Sequence, residues 1–215
     1  MTSARPGPAG LPWRLVVPVK GGVAAKSRLH PPAGVAREDL ALALATDCLT
    51  ACCAAIPPAH VVVVTSDPRV AGVADRLGTV VVADPGAGLN AAVEAGRDHA
   101  LGVSPDASVA ALLGDLPSLR APELLAALGA AAAYPLAVVP DLAGDGSTLV
   151  TAVAGAGLRP RFGTGSAAAH VAGGHHRLDL DLPGLRTDVD DDTALAAAVA
   201  IGVGAATRAV LAGRV

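Results

Sequence analysis

Leu15-Val16-Val17-Pro18-Val19-Lys20-Gly21-Gly22-Val23-Ala24-Ala25-Lys26-Ser27-Arg28-Leu29 begins as an apolar, β-branched run and empties into a glycine-containing basic loop. The first half reads as a strand, Leu15–Val19. The second half places Lys20, Lys26 and Arg28 within one short run of a chain only 16% charged. A loop that leaves a strand and precedes a long helical pattern gathers backbone N–H groups at one point. With three cations added, that point suits a polyphosphate. The spacing matches neither Gly-x-x-x-x-Gly-Lys-Ser/Thr nor Gly-x-Gly-x-x-Gly, so a P-loop and a dinucleotide fingerprint are both excluded.

Outward from this stretch, strand-like and helix-like runs alternate, the pattern of an α/β layer fold. Strands are predicted at Val61–Thr65, Val80–Ala83 and Val109–Leu113, with helices at Glu38–Ile56, Pro68–Leu77, Leu89–Leu101 and Ala121–Ala133. Val61–Thr65 is continuously apolar, as a strand buried on both faces should be. The rhythm then loosens. Leu136–Val139 and Leu149–Val153 read as strands flanking a Gly-rich stretch. Ser166–Val171 reads as a short helix, Arg177–Leu180 as a possible strand, Pro183-Gly184 as a turn and Thr193–Gly202 as a helix.

Composition narrows the class. The chain has 215 residues and is 52% hydrophobic with one Phe, one Tyr and one Trp, so its core must be built of Val, Leu and Ala. Small side chains let helices pack close to a parallel sheet. Length and pattern predict one domain over residues 13–215, preceded by a disordered Pro/Gly-rich tail at 1–12. A net charge of −3 argues against nucleic-acid binding. No apolar run is long enough for a membrane span, and the N-terminus lacks a signal-peptide core. Cys48, Cys52 and Cys53 sit on one predicted helix without a second ligand pair, which suggests reduced thiols in the cytoplasm.

Two acidic elements complement the basic loop. Gly114-Asp115-Leu116-Pro117 follows a predicted strand, where open α/β sheets bind their ligands. Asp115 there suits a metal ligand or a helix cap. In Thr187-Asp188-Val189-Asp190-Asp191-Asp192-Thr193, Asp188 and Asp190 fall on one face of an extended segment, roughly 6.5–7 Å apart. Their mutual repulsion would be relieved by a divalent cation, and an all-oxygen donor set favours Mg2+ or Mn2+ over zinc. A third cluster pairs Asp145-Gly146-Ser147-Thr148 with Phe162-Gly163-Thr164-Gly165-Ser166, two loops rich in hydroxyls and N–H groups with Arg159 and Arg161 beside them. His170 reads as structural or site-facing, and His175-His176 as a solvated helix end. No Gly-x-Ser-x-Gly elbow is present, and the thiols lie mid-helix, so nucleophilic acyl chemistry has no support.

Taken in order, several stretches resemble one family over Trp13 to Gly213: Pro18-Val19-Lys20 with Ala25-Lys26-Ser27-Arg28-Leu29, Gly88-Leu89-Asn90, Gly114-Asp115-Leu116-Pro117, Phe162-Gly163 with Ser166 and His170, and Asp188-Val189-Asp190. The family is that of the phosphoenolpyruvate/2-phospho-L-lactate guanylyltransferases of coenzyme F-420 biosynthesis. The resemblance implies a single-domain, GT-A-like, Rossmann-related α/β nucleotidyltransferase with a mostly parallel central sheet flanked by helices. It implies GTP and a small phospho-acid as substrates, with possible hand-off of the product to the next F-420 pathway enzyme. Lys26 and Arg28 would grip the GTP phosphates and act in catalysis. Pro18, Lys20, Ser66 and Asn90 would contact the nucleotide, while Asp115, Asp188 and Asp190 would hold Mg2+. Thr148, Gly163 and Ser166 would bind phosphoenolpyruvate. Leu149 stands where many archaeal relatives have Asn, so 2-phospho-L-lactate and 3-phosphoglycerate remain alternative acceptors. A molybdenum-cofactor or sugar nucleotidyltransferase, and a catalytically inactive nucleotide-binding regulator, are the rival readings.

Overall fold

The computed structural model describes residues 13–20, 29–31 and 34–213. At its centre is β1 (Trp13–Pro18), paired in parallel with β2 (Val61–Val64) on one side and β4 (Ser108–Leu112) on the other. The short β3 (Val80–Val82) continues the parallel sheet beyond β2. Beyond β4 the direction changes. The strand β5 (Leu136–Pro140) turns back into β6 (Ser147–Ala152), which lies antiparallel to both β5 and β4. A two-residue β7 (His176–Arg177) closes the order β3-β2-β1-β4-β6-β5-β7.

Alternation along the strands divides the core. Leu15 and Val17 point to one face, where α1 (Arg37–Ala55), α2 (Pro68–Leu77) and α4 (Ala121–Ala131) pack through Leu49, Cys52, Val70, Val73, Leu124 and Leu128. Val16, Val62 and Val64 point to the other, against Ala92, Val93 and Ala100 of α3 (Leu89–Val103). The close packing expected of a small-residue core is visible at Gly96 on α3. A Cβ there would run into the side chains of Val16 and Val64, so the helix reaches the sheet only because that residue has none.

α1 keeps only a narrow exposed stripe, through Glu38, Thr50 and Ala54, because it is covered on two sides. Its Leu40, Ala43 and Leu44 pack outward against Leu29, Val189, α7 (Asp192–Ile201) and α8 (Ala205–Leu211). A helix buried on both sides loses its amphipathic signature.

The α8 helix is absent from the sequence reading, and the structure shows what holds it. The buried Asp47, in the middle of α1, accepts hydrogen bonds from the N–H groups of Ala206 (Oδ1, 2.9 Å) and Thr207 (Oδ2, 2.9 Å). These are N–H groups that the first turn of a helix leaves without intrahelical partners. Pro183-Gly184 also differs from expectation. Rather than a simple turn it opens a one-turn helix, α6 (Pro183–Arg186), because Glu123 Oε1 accepts from Gly184 N at 2.9 Å. The other elements agree with expectation to within one to three residues at each end, which is the usual uncertainty of helix and strand termini. The edge strand β7 is displaced most, beginning at His176 and ending at Arg177. Among the described residues no helix is long and apolar enough to cross a membrane.

Candidate active site

The carboxyl ends of β1 and β4 open into a cavity of about 290 Å3, bordered by Pro18, Lys20, Gly114, Asp115, Asp188 and Asp190. Gly114 permits the two strand exits to approach. A Cβ on it would lie 2.7 Å from Val19 Cγ2 and 2.9 Å from the Pro18 carbonyl oxygen.

The acidic segment reaches this cavity from the far end of the chain. Val189 N donates to the Asp115 carbonyl at 3.1 Å, and the Val189 side chain is fully buried against α1. With Val189 turned inward, Asp188 and Asp190 on either side of it both border the cavity, as the alternation predicted. Burial pushes the Asp188 carboxyl up to about 7. The Asp115 charge adds to the shift, followed by Asp190 and Asp141, against a lowering by its own backbone hydrogen bond. Among the described residues no three acidic, His or Cys side chains already stand in ligating geometry. The donor chemistry nonetheless fits a hard dication, since three carboxylates border one cavity and raise the cost of ionising Asp188.

Lys26 and Arg28 lie outside the described residues, but both ends of the basic run are visible. It leaves from the exposed Lys20 at the cavity rim. It returns at Leu29, which is fully buried and whose carbonyl accepts from Arg37 Nε at 3.0 Å. His30 then donates its backbone N–H to Asp192 Oδ1 at 2.7 Å, and its ring Nδ1 lies 3.0 Å from Oδ2. The bond from the His30 N–H holds the Asp192 carboxyl below its ordinary range. The run therefore ends beside the segment that carries Asp188 and Asp190.

Ser66 stands just past β2 with its hydroxyl donating to the Asp84 carbonyl at 3.2 Å, and it does not border this cavity. Asn90, in the first turn of α3, has its amide engaged on both sides by one residue. Phe162 N donates to Asn90 Oδ1 at 2.8 Å, and Asn90 Nδ2 donates to the Phe162 carbonyl at 3.1 Å.

The two Gly/Ser/Thr loops of the third cluster meet. Asp145 Oδ2 accepts from Gly165 N at 3.0 Å, and the Asp145 carbonyl accepts from Ala167 N at 2.9 Å. Asp141 shapes the first loop by accepting from Asp145 N and Gly146 N. Thr148 is fully buried, and its Oγ1 has no hydrogen-bond partner among the described residues. Its carbonyl accepts from Leu113 N at 2.9 Å, which sets it alongside the strand exit carrying Asp115. Leu149 is also fully buried, but in the cluster on the α1 and α4 face. Ser166, at the start of α5 (Ser166–Ala172), is buried and its hydroxyl donates to Ser147 Oγ at 3.1 Å. Gly163, exposed three residues before Ser166, has φ +139°, a conformation that favours glycine.

His170 has no solvent exposure. Its Nε2 accepts from Arg161 N at 2.9 Å, so Nδ1 carries the proton and donates to Ser147 Oγ at 3.0 Å. Burial pushes its pKa down to about 4, with the charges of His175 and Arg161 acting in the same direction. The expected solvated helix end at His175-His176 is corrected. His175 is buried with Nδ1 on the His170 carbonyl at 3.0 Å, because the chain turns inward at Gly173-Gly174 to begin β7. His176 is exposed and stacks on Tyr134 at 3.6 Å between ring centroids.

Arg186 is a site-supporting residue that the sequence reading missed. Its guanidinium donates to the carbonyls of Pro140 (3.1 Å), Leu180 (3.1 Å) and Asp141 (2.9 Å), tying the loop after β5 to the segment leading into Asp188. The available signal was a lone Arg in an otherwise apolar stretch next to the acidic run.

No family model matches the chain. Two solved structures share the fold. One, described as a nucleotide-diphospho-sugar transferase of Desulfovibrio desulfuricans G20, has a TM-score of 0.52 at 16% identity, covering 69% of this chain and 66% of that one. The other, Rv0371c of Mycobacterium tuberculosis H37Rv, has a TM-score of 0.52 at 18% identity, covering 87% and 97%. Curated relatives are much nearer in sequence. The phosphoenolpyruvate guanylyltransferase of Geodermatophilus obscurus is 47% identical over 208 residues, 94% of each chain. That of Streptomyces scabiei is 47% identical over 207 residues, 93% of this chain and 96% of its own. With the carboxylates gathered at the strand ends of a nucleotidyltransferase fold, this identity over nearly the full length is decisive: the chain is an enzyme and belongs to the phosphoenolpyruvate guanylyltransferase family.

Proposed function

We propose that this chain transfers GMP from GTP to phosphoenolpyruvate, giving enolpyruvyl-diphospho-guanosine and pyrophosphate in the biosynthesis of coenzyme F-420. The carrying observation is the meeting of Asp115, Asp188 and Asp190 at one cavity whose rim holds the start of the basic run. An oxygen of the acceptor phosphate attacks the α-phosphorus of GTP. The bond from that phosphorus to the oxygen bridging the β-phosphate breaks, and pyrophosphate leaves with the electron pair. The acceptor oxygen is already anionic at neutral pH, so no general base is required.

Lys26 and Arg28 hold the triphosphate and balance the charge that builds on the leaving group. Lys20 and Pro18 border the nucleotide, with Ser66 at the next strand end. Asp115, Asp188 and Asp190 would hold Mg2+, or Mn2+ in its place, which supplies charge neutralisation between two polyanionic substrates. Thr148, Gly163 and Ser166 offer the acceptor's phosphate and carboxylate a hydroxyl with no partner among the described residues and backbone N–H groups. Orientation of the two substrates supplies the remaining acceleration. The three free cysteines, Cys48, Cys52 and Cys53, fit a cytoplasmic enzyme, and its product is suited to hand-off to the next F-420 pathway enzyme.

The test is pyrophosphate release by the purified chain with GTP, Mg2+ and phosphoenolpyruvate, with 2-phospho-L-lactate and 3-phosphoglycerate in competition. Release with phosphoenolpyruvate, far slower with ATP in place of GTP, is expected. No pyrophosphate with any of the three acceptors would overturn the proposal.

A further inference from the structure

We propose that Asn90 and His170 are positioning residues for the acceptor, two side chains from different helices that grip the backbone at Arg161 and Phe162 and so preset the loop carrying Gly163 and Ser166. The inference rests on the transfer to phosphoenolpyruvate argued above, and it moves Asn90 from the nucleotide side of the reaction to the acceptor side.

An Asn in the first turn of a helix commonly caps that helix or faces a ligand at its N-terminus. Here the N-cap is Gly88, and the Asn90 amide is turned to the backbone of another segment. Its carbonyl oxygen takes the Phe162 N–H at 2.8 Å and its NH2 gives to the Phe162 carbonyl at 3.1 Å. A two-point grip on one residue fixes the planes of the peptides before and after it, which a single bond does not. Two turns further along α3, Arg97 Nη1 donates to the Leu158 carbonyl at 2.7 Å, so one helix face fastens the segment at two places.

From the other helix, His170 Nε2 accepts the N–H of Arg161, the residue before Phe162, at 2.9 Å. Its Nδ1 reaches Ser147 Oγ at 3.0 Å, and that same oxygen accepts from Ser166 Oγ at 3.1 Å. One buried imidazole therefore joins residue 161 and α5 to the strand that carries Thr148. The Phe162 ring packs edge-on to it at 5.3 Å between centroids. Past this double grip the chain becomes exposed at Gly163 and Thr164, whose N–H groups have no hydrogen-bond partner among the described residues. A clamp of one part-buried amide and one buried imidazole that ends in two open N–H groups is how a fold presents donors to an anion without the anion's help.

The experiment is steady-state pyrophosphate release by Asn90→Ala, His170→Ala and His170→Gln, with GTP varied at saturating phosphoenolpyruvate and the reverse. For Asn90→Ala the KM for phosphoenolpyruvate should rise about tenfold or more while that for GTP stays within about twofold. His170→Ala should shift the same constant, and His170→Gln should largely restore it, since a Gln amide can accept from Arg161 N and donate to Ser147 Oγ. A rise confined to the GTP constant in Asn90→Ala, or equal rises in both constants, would overturn the proposal. Amide hydrogen exchange reads the clamp without turnover. In Asn90→Ala, faster exchange at residues 161–166 with the central strands unchanged supports it, and unchanged exchange there refutes it. If the unaltered chain transfers nothing to phosphoenolpyruvate, the functional proposal fails, and the exchange result still decides whether the clamp exists.

Discussion

The half of the molecule built on β1, β2, β3 and β4 and the half built on β5, β6 and β7 are held together by different means. In the first, ladder hydrogen bonds and alternating apolar side chains suffice. Leu15 and Val17 lock into one face of the sheet and Val16 into the other. In the second, β5 and β6 have a ladder and buried valines of their own, but the loops around them are ordered by single polar side chains reaching the backbone of distant segments: Asn90 to Phe162, Asp145 to Gly165, His170 to Arg161, Arg186 to three carbonyls. A core built of many small apolar contacts degrades gradually when one is removed. A frame built on a few polar contacts has separable weak points, and here these lie in the loops around Gly163 and Ser166 and in the segment leading into Asp188.

The sharpest way to break this contrast is Asp188→Asn at the seam between the halves. Pyrophosphate release should fall by about a hundredfold or more if Asp188 is a metal ligand. The unliganded protein should meanwhile gain stability at about pH 8 and little at about pH 4, which urea unfolding at the two values measures. The sign follows from the raised pKa. Because the folded carboxyl is pushed up to about 7, the folded state retains a proton that the unfolded state has lost. Stability therefore declines as pH rises from the ordinary carboxylate range to that value, and the amide removes the decline. Turnover near that of the unaltered chain would remove Asp188 from the site.

Asp47→Ala tests the polar means of attachment away from the chemistry. Loss of two charge-assisted bonds to α8 should cost about 1–3 kcal/mol, seen as a lower urea midpoint. An unchanged midpoint would mean that the apolar contacts of α8 hold it unaided.

The smallest effect is a pH dependence centred on His170. Its folded pKa, pushed down to about 4, means that the unfolded chain takes up a proton first as pH falls through about 6.5. Stability should decline between those two values, and His170→Gln should flatten the decline measured by thermal unfolding. The buried His175, also held below its ordinary pKa, leaves a residual slope.

The same division explains what could be read from the chain. Strands and helices of the parallel half announce themselves through local patterns, such as the four consecutive valines of β2 or Pro68 opening α2. The acidic pair was equally legible, since alternation alone puts Asp188 and Asp190 on one face and a single buried Val189 enforces it. The missed α8 is only seven residues long, and its decisive partner is Asp47, more than a hundred residues earlier. His175 was misjudged for a related reason. Its burial is set by Gly173-Gly174 turning the chain into an edge strand, while the local sequence reads as a polar helix end. Asn90 is placed at the nucleotide by the family resemblance alone, whereas its hydrogen-bond partner is set by the path of a loop from the other half.

The bond from Val189 N to the Asp115 carbonyl also carries a consequence for synthesis. The parallel sheet, with Asp115 at its edge, is complete in sequence well before residues 188–190 leave the ribosome. A chain stopped before them would lack two of the three carboxylates that border the cavity. If those carboxylates hold the metal as proposed, transfer begins only once the last segment of the chain has docked.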